Sequence, residues 1–565
     1  MKKYNQLYTK EYTNINLEHP LSEYPFPNFQ RESYYSLNGK WQYKITRNKE
    51  DLSNIIEEII VPYPLESILS QVNKSLKKNE YIIYKKIFNL NKSFIKQNTF
   101  IHFLGVDQEF EIIINNNKLD KIIPLNLPSK IDISKYIKEE NELIVIVKDN
   151  LDYRLPKGKQ SKKPKGIFYT PFSGIYFPVF IESVDNDYIN NIIIDTNLDT
   201  LNLSIDSASD YYKIIIKEKE KTIKQIETNE KTVQIKIDNP INWNTDNPFL
   251  YDLEIQTKND KINSYFALRE FKLLNNKFYL NNKEIFLNGV LSQGYYPEGI
   301  ITPPTYNLLE YDIKTMKELG FNTLREHIKI ELPYFYYLCD KYGMLVIQDF
   351  LNTGKYNFLS QTALPTIGFQ KRTDKHMNKN KIQRVNFISC ADRLINYLHN
   401  HPSIIAYTIF NEGWGQFASD DVYTLFKSKY PNLIFDTTSG WFIQHKSDLN
   451  SYHWYFKNLK KLKTCPSVFL SEFGALCHKV KNHSYSDKKV FGYTYFDTIE
   501  DLEKAYIDLF ENKIIPYKHN LNGCIYTQLS DIEEEDNGIL TYDRKHIKIN
   551  KDLIISINKK LNEKS

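Results

Sequence analysis

From Leu273 onward, short apolar runs alternate with amphipathic stretches, and this rhythm restricts the fold more than anything else in the chain. Eight runs read as strands: Ile285 to Leu291, Asn322 to Arg325, Leu345 to Asp349, Ile404 to Glu412, Leu433 to Thr438, Leu449 to Tyr452, Val468 to Glu472 and Gly523 to Gln528. Helical periodicity lies between most of them, over Asn307 to Leu319, Leu332 to Tyr342, Lys381 to Asn400, Val422 to Lys429 and Ile499 to Ile515. A last helix, Leu553 to Leu561, follows the polar starts Asn550 and Asp552. Eight βα units in about 290 residues predict a (β/α)8 TIM barrel over 273–565. The carboxyl ends of its parallel strands form one mouth, which makes the strand-ending residues the candidates for chemistry.

At 565 residues the chain is too long for one core and should hold about three domains. Residues 1–185 read as all-β, with runs such as Trp41 to Ile45, Phe100 to Phe103, Phe110 to Ile114, Leu143 to Val147 and Val179 to Ile181 between turn signals. The spacing predicts a jelly roll or sandwich. Residues 186–272 repeat the pattern on an immunoglobulin-like scale, with alternation over Leu201 to Ile205 and Val233 to Ile237. Inside the first domain, Arg154 to Lys165 (RLPKGKQSKKPK) is basic and holds Pro and Gly, so it is expected as an exposed loop, of the kind that can lean over a neighbouring site.

The strand ends carry Arg325 and His327, Asp349, Asn411 and Glu412, Ser439 and Trp441, His453 and Trp454, Glu472, and Tyr526 and Gln528. Glu412 and Glu472, on strands four and seven, should face each other across the mouth. Glycosidic-bond hydrolysis needs such a pair, one group protonating the leaving oxygen while the other attacks or stabilises the oxocarbenium-like carbon. Aromatic faces can stack on the apolar side of a sugar ring. An Arg beside one carboxylate would keep it ionised.

Several motifs, in this order and spacing, resemble glycoside hydrolase family 2, the family of bacterial β-galactosidases, β-glucuronidases and β-mannosidases. They are Arg31-Glu32-Ser33, Ser36-Leu37-Asn38-Gly39-Lys40-Trp41, His102-Phe103 with Gly105-Val106-Asp107, Thr170 to Ile175, Asn247 to Tyr251, Ile409 to Trp414, and Ser471-Glu472-Phe473-Gly474. The resemblance implies a sugar-binding jelly roll, an immunoglobulin-like sandwich and a catalytic barrel. It implies a retaining exo-β-glycosidase in which Glu412 is the proton donor, Glu472 the nucleophile, Asn411 the partner of the sugar 2-hydroxyl and Arg325 the arginine beside the nucleophile. His327, Asp349, Trp441, His453, Trp454, Tyr526 and Gln528 complete the expected substrate contacts. The alternative is a carbohydrate-binding protein that kept the scaffold without turnover.

The first strand ends in Leu291-Ser292-Gln293-Gly294-Tyr295, without the His-rich stretch of the best-known β-galactosidases, so their metal site does not carry over and no metal or cofactor is expected. β-Glucuronidases of the family hold a carboxylate-binding Lys where this chain has Asn537, and Glu533, Glu534, Glu535 and Asp536 precede it. A negative run is a poor host for a uronic acid, which favours neutral β-galactosides over β-glucuronides, with β-glucuronidase or β-mannosidase as the alternatives within the family. The net charge of +5 is spread over 74 basic and 69 acidic residues without a clustered stripe, which argues against nucleic acid as a partner. Five scattered cysteines (Cys339, Cys390, Cys465, Cys477, Cys524) suit a reducing compartment, and no run reaches the roughly 18 apolar residues that span a bilayer. These features, with no signal peptide at the N-terminus, lead us to expect a cytoplasmic protein acting on a glycoside or oligosaccharide; homo-oligomeric assembly is left open.

Overall fold

The structure, a computed structural model, describes residues 4–366, 368–455, 467–487 and 494–563. Its first domain is a sandwich of two antiparallel sheets. One holds Tyr35–Ser36, Asn98–Phe103, Ser129–Asp132 and Val179–Val184; the other holds Gly39–Thr46, Glu57–Val61, Tyr81–Asn89, Glu109–Ile114, Asn117–Lys118 and Glu140–Lys148. Alternate residues turn inward from both sheets, so Trp41, Ile82, Tyr84, Ile101, Val145 and Ile181 share one buried core. The second sandwich pairs Ile189–Thr196, Thr200–Ser207 and Thr232–Lys236 against Tyr212–Glu218, Lys221–Thr228, Tyr251–Gln256 and Lys261–Phe266, closing over Ile192, Leu203, Ile214 and Leu253.

The third domain is the expected barrel. Its strands are β1 (Leu287–Ser292), β2 (Thr323–Glu326), β3 (Leu345–Asp349), β4 (Ile404–Asn411), β5 (Phe435–Ser439), β6 (Ser451–Trp454), β7 (Val468–Gly474) and β8 (Leu521–Thr527). They form one parallel sheet in the order β5-β4-β3-β2-β1-β8-β7-β6. Among the described residues β5 and β6 share no ladder; the ring is joined there by side chains, with the Ser439 hydroxyl 3.4 Å from that of Ser451 and 2.8 Å from His453 Nε2. Leu287, Leu291, Leu345, Ile347, Ala406, Phe469 and Ile525 fill the inside, while the outward set packs under the helices.

Helices α1 (Tyr306–Glu318), α2 (Pro333–Tyr342), α3 (Lys381–Leu398), α4 (Ser419–Lys429), α5 (Ile499–Ile507) and α6 (Lys551–Asn562) start where local chemistry allows. Thr305, Asn380, Thr498 and Asn550 cap four of them through side-chain oxygens, and Pro333 opens α2. No helix among the described residues is long and apolar enough to cross a membrane.

Four features differ from expectation. The run read as a strand beginning at Ile285 is preceded by a meander, Phe271–Leu274, Lys277–Leu280 and Lys283–Ile285, turned at Asn275-Asn276 and Asn281-Asn282, all four with positive φ. Its Phe278 and Leu280 pack into the cluster that fills the inside of the barrel. The run Ile499 to Ile515 is α5 only to Ile507 and continues as a wider turn through Ile514, followed by a 3-10 segment that Pro516 enters. The amino-terminal segment, read as part of the jelly roll, lies on barrel loops: Leu7 packs in the barrel-side core, and Thr9 N donates to Glu298 at 3.1 Å. The basic loop is not wholly exposed, since Pro156, Gly158, Lys159 and Gln160 are buried. Cys339, Cys390, Cys477 and Cys524 are buried free thiols, and Cys465 lies outside the described residues.

Candidate active site

β4 is buried along its whole length and ends at Asn411, which places Glu412 at the mouth. Glu412 itself has φ 49°, in the region that disfavours a side chain, and is held there because its N–H donates to Ser439 O at 2.8 Å. Gly413 follows with φ 73°, and a Cβ at that position would collide with the Phe442 ring. The backbone therefore turns sharply and points the Glu412 carboxyl into the mouth.

Arg325, fully buried at the end of β2, ties four strand ends together. Its Nε and Nη2 grip Asp349 at 2.9 and 3.0 Å, Nη1 reaches Glu472 Oε1 at 3.1 Å and Ser471 O at 3.0 Å, and Nη2 donates to Asn411 Oδ1 at 2.9 Å. A buried guanidinium needs such a set, because each unpaired N–H would carry its full desolvation cost. Burial would raise the Asp349 carboxyl, but Arg325 and the His327 contact outweigh it and hold it at about 2. His327 is lowered to about 4 by burial and by the charge of Lys159, so near neutrality its ring is uncharged and Nδ1–H donates to Asp349 Oδ2 at 2.8 Å.

Glu472 is buried at 5% exposure. That burial opposes its charge, yet His453, Arg325, His327 and the Tyr455 hydroxyl hold it at about 2. Tyr455 donates to Oε2 in a short hydrogen bond. His453 lies between the two carboxyls, with Nδ1 2.9 Å from Glu412 Oε1 and Nε2 3.4 Å from Glu472 Oε1. One ligand atom each from Glu412, His453 and Glu472 lie within 4.8 Å of one another, which makes this a compact donor group among the described residues and brings one oxygen of each carboxyl within that distance of the other.

Arg325, His327, Asp349, Asn411, Glu412, His453 and Glu472 thus come together at the mouth. Trp441 stands beside them, its ring 5.7 Å from that of His453. Trp454 and Tyr526 do not join them. Strand alternation turns His453 inward and Trp454 outward into the helix-side core, and Tyr526 packs against Phe473, Tyr506 and Phe510. Gln528 is engaged by Gln293 and by Asn537, whose Oδ1 accepts from Gln528 Nε2 at 2.8 Å. Tyr455 escaped the sequence reading, although two residues beyond His453 it continues the inward set. Trp414 escaped as well; its ring borders His327 at 6.3 Å and Phe168 of the jelly roll at 5.5 Å.

The acidic run does not face the site. Glu533 accepts from Thr170 N at 2.8 Å, Glu534 from Gly166 N at 2.9 Å, Glu535 from the Tyr169 hydroxyl, and Asp536 from Lys479. Burial raises Glu533 to about 7 against its Thr170 hydrogen bonds.

Family models match along the chain: "Glycosyl hydrolases family 2, sugar binding domain" over residues 59–179, "Glycosyl hydrolases family 2" over 184–269, and "Glycosyl hydrolases family 2, TIM barrel domain" over 271–537. Similar proteins include a β-galactosidase of Staphylococcus xylosus, 27% identical over 278 residues, 47% of this chain and 27% of that protein. A putative β-glucuronidase of Formosa agariphila is 24% identical over 385 residues, 63% of this chain and 34% of that protein. The matched part of the chain thus spans about a third or less of these relatives' lengths. Among solved structures, a β-glucuronidase from an uncultured Clostridium superposes with a TM-score of 0.75 at 18% identity, covering 94% of this chain and 98% of its own, which establishes a shared fold. With three domain models of one family laid end to end on its three domains, the chain belongs to glycoside hydrolase family 2.

Proposed function

We propose that the protein is a retaining exo-β-glycosidase that removes a terminal β-linked sugar by double displacement. The observation that carries this reading is the pair Glu412 and Glu472, whose oxygens approach within 4.8 Å across His453. Retaining enzymes place their carboxyl groups roughly 5 to 5.5 Å apart, whereas inverting ones leave room for a water at roughly 6.5 to 9.5 Å. Glu472, held ionised by Arg325 and bonded by Tyr455, is the nucleophile that attacks the anomeric carbon and forms the glycosyl-enzyme. Glu412, whose side chain is the more exposed of the two at 12% against 6%, protonates the leaving oxygen and then activates water. Asn411, its carbonyl taken by Arg325, has its amide N–H groups left for the 2-hydroxyl.

Because Glu472 stays ionised to about pH 2, an acid limb of kcat/KM between pH 4 and 7 belongs to another group. Glu472→Gln should lower turnover on every substrate by on the order of 10⁴-fold or more. Glu412→Ala should spare the first step on dinitrophenyl glycosides, stall the second, and be rescued by azide to a β-glycosyl azide. Rescue of the Glu472 variant through a β-azide would reverse the roles, and an inverted first product by NMR would sink the mechanism. For the glycone we carry forward a galactose-type ring, supported by the relatives named β-galactosidase and by Asn537 in place of the carboxylate-binding Lys. The acidic run no longer speaks for a neutral sugar, since its carboxylates are spent on Thr170, Gly166, Tyr169 and Lys479. Whether C6 bears a charge is set by the groups that do face the mouth.

A further inference from the structure

Three lysines are buried among the described residues: Lys159, Lys329 and Lys548, at 6%, 4% and 3% exposure. Lys329 pairs with Glu331, and Lys548 with Asp531 at 2.6 Å. Lys159 has neither an ion pair nor a side-chain hydrogen bond among the described residues. Its ammonium lies 5.4 Å from the centroid of Trp414 and 5.4 Å from that of Tyr169. Two aromatic faces offset part of the desolvation of a cation, but they accept none of its three N–H donors. The stem is buried while Nζ keeps contact with solvent, so the ammonium opens toward the mouth with no protein acceptor and is placed to take a counter-charge from outside.

The position is built. Gln160 Nε2 donates to Asp107 at 2.7 Å, Phe172 N donates to Gln160 Oε1 at 3.0 Å, and Tyr169 N donates to Lys159 O at 3.0 Å. Lys157 N reaches Asn352 O on the loop after β3 at 3.2 Å, and Gly158, with φ 62°, passes so near Ile328 O that an added Cβ would stand 3.1 Å away. The jelly roll thereby delivers one cation to the barrel mouth beside Trp414, two residues past Glu412. The charge of Lys159 is felt at His327, which is in contact with Asp349 and 3.9 Å from Glu472.

We propose that Lys159 is a specificity residue that pairs with an oxyanion carried by the sugar, either a uronic carboxylate or a sulfate ester. This rests on the retaining-glycosidase reading and refines its substrate: the ring is of galactose type and bears a negative charge. The acceptor comes with the substrate, so a neutral sugar leaves Lys159 unpaired and loses a charge-assisted hydrogen bond.

The test compares p-nitrophenyl β-galactoside, β-galacturonide, β-glucuronide and 6-sulfo-β-galactoside on the full chain, as wild type, Lys159→Met and Lys159→Arg. At least one acidic substrate should exceed the neutral one in kcat/KM, the uronide and sulfate arms telling which oxyanion is taken. The acid-to-neutral ratio should fall about 30-fold in Lys159→Met and be largely kept in Lys159→Arg. Raising salt from about 0.05 to about 0.5 M should lower the wild-type ratio and leave that of Lys159→Met flat, a readout that separates lost charge from lost packing. Turnover of the neutral substrate alone, or a ratio unmoved in Lys159→Met, overturns the proposal while leaving the catalytic reading intact. Turnover of none of the four sinks both.

Discussion

The two β-sandwiches have similar cores and meet the barrel at opposite ends. The immunoglobulin-like domain docks where the strands begin: Trp243 Nε1 donates to Asp340 O at 2.7 Å and the Tyr265 hydroxyl to Asp340 Oδ2 at 2.7 Å. Asp340 also accepts from Ser403 N at 2.8 Å and contacts His401 Nδ1 at 2.6 Å, and these residues lie just before β3 and β4. The jelly roll reaches the other end, where its Gly166, Tyr169 and Thr170 bond Glu534, Glu535 and Glu533 beyond β8, and Lys159 reaches Trp414 beyond β4. A parallel barrel has one reactive end, so the end that an added domain meets decides whether it can touch chemistry.

Cutting the lower dock should have the largest effect and a purely structural one. Asp340→Ala leaves Ser403 N, the Tyr265 hydroxyl and His401 without their acceptor, and about 3 to 5 kcal/mol of stability should be lost in denaturant unfolding. The kcat/KM of the folded enzyme should not change; a fall of more than about tenfold there would break the division between the two ends.

A pH series distinguishes the inside of the barrel from both docks. Burial raises the Asp436 carboxyl on β5 to about 6 although Arg325 pulls it down. The folded-state value lies above the ordinary 3.8, so the penalty is absent below 3.8, grows through that window and is full above 6. Asp436→Asn should therefore stabilise the protein by about 3 kcal/mol at pH 8 and have little effect near pH 3.5. Equal effects at both pH values would show that the carboxyl does not titrate in this window. At the lower dock again, Trp243→Phe deletes one buried hydrogen bond and leaves a void in a packed cluster, and should cost about 2 to 3 kcal/mol in unfolding with no kinetic change.

At the upper dock the kinetic effect should exceed the structural one. Tyr169→Phe removes the hydroxyl that Glu535 accepts, loosening the segment that carries Lys159, and kcat/KM should drop about tenfold with a stability loss of about 1 to 2 kcal/mol. Unchanged kinetics would mean that this latch does not shape the mouth.

How much of this could be read from residues alone varies along the chain. Glu412 and Glu472 were legible because a strand buried on both faces must be a nearly continuous apolar run, and each run stops abruptly at its carboxylate. Tyr455 and the exclusion of Trp454 were within reach, since period-two alternation from His453 assigns them to opposite faces. Tyr526 was misplaced for the same reason: Ile525 faces the barrel interior and Tyr526 faces the helices. The Asn-Asn turns at 275 and 281 were visible signals of the meander that went unused. The partners of Glu533 to Asp536 were not legible, because three of those contacts join residues more than 360 positions apart.

The sequence by itself determined the order of elements, the caps that start most helices, and the two carboxylates at the ends of β4 and β7, because these follow from local periodicity and the chemistry of neighbouring residues. Tertiary structure alone decided that Arg325 joins Asp349, Asn411 and Glu472, that an acidic run is turned to a neighbouring domain instead of to substrate, and that a lysine of the first domain completes the mouth of the third. Those outcomes depend on strand register, where a slip of one residue reverses every face, and on which distant surfaces meet; neither is encoded within the span of a single element.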